Sequence, residues 1–185
     1  MSKIIFRLYL SGAVTMRVLI VEDDPTTGHL MKYVVGRHAE YDHAVDGEEA
    51  FDKFCDAFEA NEPFDLVFLD LMLPVADGQE VLQAIRAYEE QNGIIQTEGV
   101  PVVITSALED NSEVYQAMAA GAIDYLMKPV KTEKLIELLQ RVERSVVSKP
   151  PGETLASPST NEFTMSGEKP KTKTPGAPTE GYEEF

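Results

Sequence analysis

The chain has 185 residues, of which 43% are hydrophobic, and a formal net charge of −16. This length can bury a real core, whereas the negative charge argues against direct binding of nucleic acid, which needs a cationic face. No run approaches the roughly 18 apolar residues of a membrane span. The single cysteine, Cys55, excludes an internal disulfide and fits a reducing cytoplasm. We therefore expect a cytoplasmic domain with extensions that binds neither nucleic acid nor membrane.

The composition changes near both ends of the chain. Residues 1–15 are mildly apolar but interrupted by Arg7, and we interpret them as an N-terminal extension from an upstream start or as a packing arm. Six of the eleven prolines lie in the last 38 residues, among Ser, Thr, Lys, Gly and Glu. Such a composition predicts a disordered tail over residues 148–185. A compact domain over residues 16–147 remains.

Short apolar runs alternate with amphipathic helical patterns throughout this domain. Their nearly continuous apolar character is typical of strands that are buried on both faces of a parallel sheet. Strict alternation of strands and helices predicts a doubly wound five-stranded parallel sheet, an α/β, (βα)5 flavodoxin-like three-layer fold. The predicted strands span residues 17–21, 41–45, 64–70, 100–106 and 123–127, and the helices follow at about 25–37, from 47, after 78, around 114–118 and at 132–147.

Polar side chains follow the predicted strands at the points where the strands end. In a parallel sheet these ends meet at one edge, where open α/β sheets place their chemistry. Three clustered carboxylates need a counter-ion, and Mg²⁺ prefers oxygen ligands of this kind. A lysine offers a point charge to a phosphoryl oxygen. The sequence therefore predicts a site for an acyl phosphate on the central Asp70, with in-line phosphoryl transfer, built from Glu22, Asp23, Asp70, Thr105, Ser106 and Lys128.

Each of these residues also has a purely structural interpretation. Asp24 followed by Pro25 is a good helix entry, so the acidic triplet could be a helix cap. Asp70 could cap its loop, Ser106 could be a turn residue, and Lys128 could be a solvated cation before a proline. Taken singly, these interpretations are at least as good as the functional one. Taken jointly, they require four coincidences on one sheet edge, and we favour the functional site.

Four motifs together cover the whole domain, which makes the match specific. They are Val21-Glu-Asp-Asp24, Leu69-Asp70 with Pro74 and Gly78 at the expected offsets, Thr105-Ser-Ala107, and Tyr125-Leu-Met-Lys-Pro129. On these motifs, residues 16–147 resemble a response-regulator receiver domain of two-component systems, similar to the stand-alone chemotaxis regulator.

The resemblance implies a role for each residue of the acidic edge. Asp70 would accept the phosphoryl group from a histidine kinase or phosphotransfer protein. Mg²⁺ or Mn²⁺ would be bound by Asp23, Asp70 and the backbone carbonyl of Met72, with Glu22 acting close by through water. Lys128 would contact the phosphoryl group, and the Lys128–Pro129 bond would be cis.

The resemblance also implies a switch and an output. Ser106, rather than Thr105, matches the switch hydroxyl, and Tyr125 matches the aromatic residue that changes its burial with it. The fourth helix, fifth strand and fifth helix would then bind a downstream protein target, as a monomer or as a phosphorylation-dependent dimer. No effector domain is recognised after Val147, so we expect a single-domain signalling switch that catalyses only its own phosphorylation and dephosphorylation, either a terminal regulator or a phosphorelay intermediate.

The sequence departs from the family pattern in a few places. Leu73 and Ala76 replace methionines that are frequent in the loop after the acceptor, and the connection over residues 91–99 looks long. Met72 and Leu108 are apolar where the family tunes access of the hydrolytic water. We therefore expect a long-lived phosphoryl group, and a half-life of seconds would contradict this.

Two other classes of protein compete with this interpretation. An aspartate-nucleophile phosphatase on a related fold would need a second carboxylate two residues after the nucleophile, where this chain has Met72. A nucleotide-binding module would need a glycine-rich turn after the first strand, where Glu22, Asp23 and Asp24 stand instead. The three histidines, His29, His38 and His43, are predicted to lie away from the site edge.

Overall fold

The computed structural model describes residues 15–107 and 111–148. The chain divides into two units between Glu153 and Thr154, and every described residue belongs to the first unit. The predicted N-terminal extension up to residue 14, Leu108, and the predicted tail from residue 149 onward lie outside the described residues. The domain boundaries at residues 16 and 147 therefore stay predictions.

The described residues form five strands and five helices in strict alternation. We number them β1 Arg17–Val21, α1 Pro25–Val35, β2 Glu40–Ala44, α2 Gly47–Glu59, β3 Leu66–Asp70, α3 Gly78–Gln91, β4 Val102–Ser106, α4 Asn111–Ala119, β5 Asp124–Met127 and α5 Thr132–Ser148. All neighbouring strands pair in parallel, in the order β2-β1-β3-β4-β5. The predicted doubly wound five-stranded fold is confirmed, with β3 at the centre of the sheet.

Two hydrophobic cores lie on the two faces of the sheet. One face is covered by α2, α3 and α4, through residues such as Phe54, Leu82 and Ala117. The other face is covered by α1 and α5, through residues such as Met31 and Leu139. Because both faces are covered, β1, β3 and β4 are buried almost throughout, which explains their continuous apolar sequences.

Four strands begin or end differently from the prediction. β4 begins at Val102 because Pro101 has no N–H to donate to the ladder, although Val100 is buried. β2 is displaced by one residue, since the N–H of Glu40 donates to Met16 and the N–H of Val45 donates to the Glu49 carboxylate. β3 and β5 also begin later than predicted, at Leu66 and Asp124.

A buried ion pair lies at the amino edge of the sheet, opposite the strand ends that carry the polar residues. Arg86 and Glu89 sit one turn apart on α3, and Glu89 is buried. Arg86 Nη2 donates to the carbonyl oxygens of Val100 at 2.9 Å and of Gly121 at 3.0 Å. The N–H of Val100 donates to Glu89 at 2.6 Å. This cluster joins α3 to the connection before β4 and to the turn after α4.

Among the described residues, no helix has both the length and the apolar character needed to cross a membrane.

Candidate functional site

Three carboxylates converge at the carboxyl edge of the sheet. Glu22 and Asp23 follow β1, and Asp70 ends β3, the strand that pairs directly with β1. One oxygen from each lies within 4.8 Å of the others. Glu22 and Asp70 are each only 1% exposed, whereas Asp23 is exposed. The structure thus brings together the acidic residues that the sequence predicts to meet.

Lys128 is the cation of this edge. Its Nζ donates to Glu22 Oε1 at 2.7 Å and to Asp70 Oδ2 at 2.5 Å. The N–H of Lys128 donates to the carbonyl oxygen of Ser106 at 2.8 Å, which continues the pairing of β4 with β5. The Lys128–Pro129 bond is cis, as predicted.

The charges of these groups affect one another. Burial raises the pKa of the Glu22 carboxyl group; the hydrogen bond from Lys128 opposes this effect and the charge of Asp70 adds to it. Burial alone would lower the pKa of the Lys128 ammonium, but its hydrogen bonds to Asp70 and Glu22 outweigh burial and leave that pKa raised. Lys128 therefore stays charged, and Glu22 and Asp70 share its ammonium group.

The chemistry of the donors fits a hard divalent cation. Glu22 Oε2 is buried and has no hydrogen-bond partner among the described residues, so this oxygen has lone pairs that the protein does not satisfy. All three carboxylates offer oxygen, the ligand type that Mg²⁺ and Mn²⁺ prefer. One lysine cannot neutralise three carboxylates. The residues present therefore suit the metal that the sequence predicts.

The loop after β3 folds back tightly on the carboxyl end of that strand. The N–H of Met72 donates to Asp70 Oδ1 at 2.9 Å, and the N–H of Gly78 donates to the carbonyl oxygen of Leu71 at 3.1 Å. A Cβ atom at Gly78 would collide with the carbonyl oxygen of Asp70. Asp77 caps α3 in a capping box with Glu80. The predicted glycine of the motif is therefore needed where α3 approaches the backbone of Asp70.

The remaining predicted residues lie on β4, on β5 and in the connections after β1 and β3. Ser106 ends β4 and is buried, while Tyr125 lies on the edge strand β5 and is 45% exposed. Met72 is exposed. Asp24 caps α1, accepting from the N–H of Thr27 at 2.8 Å, which confirms its prediction as the helix cap. The roles of Ser106, Tyr125 and Met72 stay predictions.

One residue near the site was missed by sequence reasoning, and a second was placed there without its most unusual feature. His43 was predicted to lie away from the edge, but its Nε2 is 3.0 Å from the carbonyl oxygen of Glu22; that prediction was wrong, because β2 runs parallel beside β1 and ends at the same edge. Burial lowers the pKa of His43. Thr105 is fully buried, and its Oγ1 has no hydrogen-bond partner among the described residues. The sequence places Thr105 at this edge, but the state of its hydroxyl group is seen only in the structure.

Known proteins share this fold and sequence. The family profile of the response regulator receiver domain matches residues 18–140. The DNA-binding response regulator MtrA of Mycolicibacterium smegmatis is 37% identical over 122 residues, which cover 65% of this chain and 47% of that protein. The chain thus spans about half the length of this relative.

Two solved structures show the same similarity. The receiver domain of Ssk1 from Saccharomyces cerevisiae, crystallised with the histidine phosphotransfer protein Ypd1, matches with a TM-score of 0.61 and 30% identity, over 73% of this chain and 94% of that one. Chemotaxis protein CheY4 of Vibrio cholerae matches with a TM-score of 0.58 and 27% identity, over 70% of this chain and 99% of that one. With its fold and its acidic edge, the chain belongs to the family of response regulator receiver domains.

Proposed function

We propose that this protein is a phosphorylation switch in which Asp70 accepts a phosphoryl group from a phosphohistidine. The observation that carries this proposal is the position of Lys128, whose ammonium bridges Asp70 and Glu22 at the carboxyl edge of the sheet. A cation between an acceptor carboxylate and a second acid can follow the negative charge of an arriving phosphoryl group.

The bonds that form and break in the transfer belong to Asp70 and to the donor. A carboxylate oxygen of Asp70 attacks the phosphorus atom in line with the phosphorus–nitrogen bond of the phosphohistidine. The new phosphorus–oxygen bond forms as the phosphorus–nitrogen bond breaks, and the electron pair of the broken bond stays on the imidazole nitrogen. Lys128 offsets the negative charge on the phosphoryl oxygens.

Asp23, Asp70 and the backbone carbonyl of Met72 would hold Mg²⁺ or Mn²⁺, and Glu22 would act through water. When bound, the metal supplies positive charge that reduces the repulsion between the acceptor carboxylate and the phosphoryl group. Glu22 Oε2, which is buried and has no hydrogen-bond partner in the part of the chain that the structure describes, supports this assignment.

The output of the switch is a change of surface rather than a second chemical reaction. Ser106 would move toward the phosphoryl group and Tyr125 would change its burial, altering the face formed by α4, β5 and α5. That face carries exposed apolar side chains among its described residues, namely Tyr115, Met118, Tyr125 and Met127. Such side chains suit binding of a downstream protein target or of a second copy of the phosphorylated chain.

The partner on the input side would be a sensor histidine kinase or a histidine phosphotransfer protein. The match to the receiver domain of Ssk1, a response regulator downstream of Ypd1, supports a donor of the second kind, and with it a place downstream of a phosphotransfer protein in a phosphorelay. Direct binding of nucleic acid is not part of the proposal, because the chain carries a net charge of −16; the DNA-binding name of MtrA belongs to a protein of which this chain covers less than half. A cytoplasmic setting fits the single cysteine.

The first experiment is intact mass spectrometry after incubation of the chain with acetyl phosphate and Mg²⁺. We expect a gain of one phosphoryl group that requires Mg²⁺ and is lost in Asp70→Asn. The matched control is Asp56→Asn, which makes the same change on the exposed face of α2 and should leave the gain intact. A folded wild-type chain that gains no mass would contradict the proposal. The lifetime of the product then tests the prediction of a long-lived phosphoryl group.

A further inference from the structure

Thr105 presents a hydroxyl group that the described structure does not use. The residue is 0% exposed, and its Oγ1 is buried without a hydrogen-bond partner among the described residues. A buried hydroxyl without a partner costs free energy that a valine of the same shape would not. The neighbouring strand positions hold Val102, Val103 and Ile104, so an apolar residue would suit this environment. The presence of a hydroxyl group here is therefore best explained by a second state of the protein in which this group forms a hydrogen bond.

The sheet places Thr105 beside the proposed acceptor. Asp70 and Thr105 are direct partners in the parallel pairing of β3 with β4. Phe68 and Val103, each two residues earlier, both belong to the core covered by α1 and α5. Because side chains alternate between the faces of a strand, Asp70 and Thr105 lie on that same face. Adjacent strands are about 4.8 Å apart, so the two side chains are immediate neighbours.

Other acceptors at this edge are less suitable. Glu22 Oε2 is also unpartnered among the described residues, but Glu22 follows β1, which is separated from β4 by β3. Asp70 is therefore the carboxylate whose strand lies directly beside that of Thr105. Ser106 follows Thr105 directly and therefore lies on the opposite face of β4. The oxygens of Asp70 are the acceptors that the sheet register places next to Thr105.

Both oxygens of the unphosphorylated carboxylate already have a donor. Oδ1 accepts from the N–H of Met72, and Oδ2 accepts from Lys128. Phosphorylation turns one oxygen into the ester oxygen and leaves the other as the acyl oxygen, while the negative charge moves to the phosphoryl group. Lys128 follows that charge, so an acyl oxygen at the Oδ2 position loses its donor. The metal proposed for this edge takes one of the two lone pairs of that oxygen, and the other lone pair is open to a hydroxyl donor.

We propose that the hydroxyl of Thr105 donates a hydrogen bond to the acyl oxygen of phosphorylated Asp70, so that Thr105 stabilises the phosphorylated state selectively. This inference rests on the proposed function, because it concerns the same acceptor. It assigns Thr105 a role distinct from that of Ser106, which is predicted to follow the phosphoryl oxygens. The free energy that the unpartnered hydroxyl costs in the unphosphorylated chain is recovered only after transfer.

The test compares Thr105→Val with Thr105→Ser, using beryllofluoride and Mg²⁺ as a mimic of the phosphoryl group. Valine keeps the shape and removes the hydroxyl, whereas serine keeps the hydroxyl. We expect Thr105→Val to weaken the apparent affinity for beryllofluoride by about three- to tenfold, the equivalent of one hydrogen bond, and Thr105→Ser to retain it. The thermal midpoint of the free protein should stay the same or rise in Thr105→Val, since no hydrogen bond is lost there.

Controls separate this inference from the proposed function. Thr97→Val removes an exposed hydroxyl before β4 and should change neither quantity. Equal affinity in wild type and Thr105→Val would overturn the inference, as would an equal loss in the serine variant. Should the valine variant not fold, Thr105→Ala takes its place, with its affinity compared with that of Thr105→Ser. Failure of the wild type to bind beryllofluoride at Asp70 would instead overturn the proposed function, and the role of Thr105 with it.

Discussion

Arg86 Nη1 lies 2.5 Å from Glu89 Oε2, and these two residues form an ion pair that is almost closed to solvent. The pair is held by backbone groups from two other parts of the chain, at Val100 and Gly121. A buried pair of this kind contributes little when compared with an apolar replacement, but the loss of one partner leaves a charge without compensation.

We predict that Arg86→Met lowers the free energy of unfolding by about 3–5 kcal/mol, because Glu89 is left buried and unpaired. The double variant Arg86→Met/Glu89→Leu should recover a large part of this loss. Urea unfolding followed by circular dichroism measures both. Lys134→Met is the matched control, since it breaks an exposed pair with Glu137 at the same spacing and should cost less than about 1 kcal/mol. A small loss in Arg86→Met would mean that the pair does not hold the α3–β4 connection.

Metal binding should discriminate between two adjacent aspartates. Asp23 contributes an oxygen to the acidic cluster, whereas Asp24 caps α1. We expect Asp23→Asn to weaken Mg²⁺ binding at least tenfold, on the order of the loss of one ligand charge. Asp24→Asn removes the same charge one residue away, and asparagine caps a helix as well as aspartate does, so its Mg²⁺ affinity should change little. Calorimetric titration measures both affinities, and equal losses would place the metal elsewhere.

The stability of the metal-free protein should depend on pH through the protonation of Glu22. Its pKa in the folded state is raised above the ordinary value of 4.5, so the folded chain binds this proton more tightly than the unfolded chain does. The resulting stabilisation is complete below pH 4.5 and is lost as the pH rises through the folded-state pKa. Relative to Glu22→Gln, the wild type should therefore lose stability as the pH rises above 4.5, in chelator-treated samples.

Glu49 serves as a control for this measurement, because its contribution to stability should change with pH in the opposite direction. The hydrogen bond with Lys53 lowers the pKa of Glu49, so its stabilisation is present above pH 4.5 and is lost as the pH falls through the folded-state pKa. Thermal unfolding of the wild type, Glu22→Gln and Glu49→Gln across pH 3–8 measures both effects. As the pH rises, the thermal midpoint of the wild type should fall relative to Glu22→Gln and rise relative to Glu49→Gln. If the midpoint difference changed with pH in the same direction for both variants, Glu22 would not bind its proton more tightly in the folded state.

Val75 occupies a left-handed backbone conformation, with φ at 73°, and is 80% exposed. A β-branched residue there costs about 1 kcal/mol or more, and exposure leaves it little packing in return. We predict that Val75→Asn raises the free energy of unfolding by about 1 kcal/mol, because asparagine accepts this conformation. Val45→Asn, at an exposed valine with an ordinary φ, should have almost no effect in the same urea unfolding experiment. A loss of stability in Val75→Asn would show that the side chain makes a contact worth more than the strain.

Much of the fold could be predicted because local patterns and tertiary structure agree. The alternation of apolar runs and amphipathic helices led to the right sheet, and the polar residues after β1, β3 and β5 met at one edge, as parallel topology requires. The strand limits were less predictable, since they depend on single hydrogen bonds. The N–H of Val45 turns to the side chain of Glu49 instead of to the ladder, and nothing in a five-residue pattern indicates that choice.

Contacts between distant parts of the chain were the other limit. Arg86 binds backbone carbonyls 14 and 35 residues away, and main-chain acceptors leave no trace in the side-chain sequence. His43 was misplaced for a related reason, because its contact to Glu22 depends on which strand lies beside β1. The unsatisfied hydroxyl of Thr105 becomes visible only once burial is known.

The bridge from Lys128 to Glu22 joins residues 106 positions apart, and this separation has a consequence for the protein during its synthesis. A ribosome releases Glu22 and Asp70 long before Lys128, so the emerging chain holds an acidic edge without its cation until β5 has left the exit tunnel. Under the proposed function, a nascent chain that lacks Lys128 would not yet compete for the phosphodonor with finished molecules. Completion of the last strand, rather than the appearance of Asp70, would then mark the moment at which the proposed acceptor site is assembled.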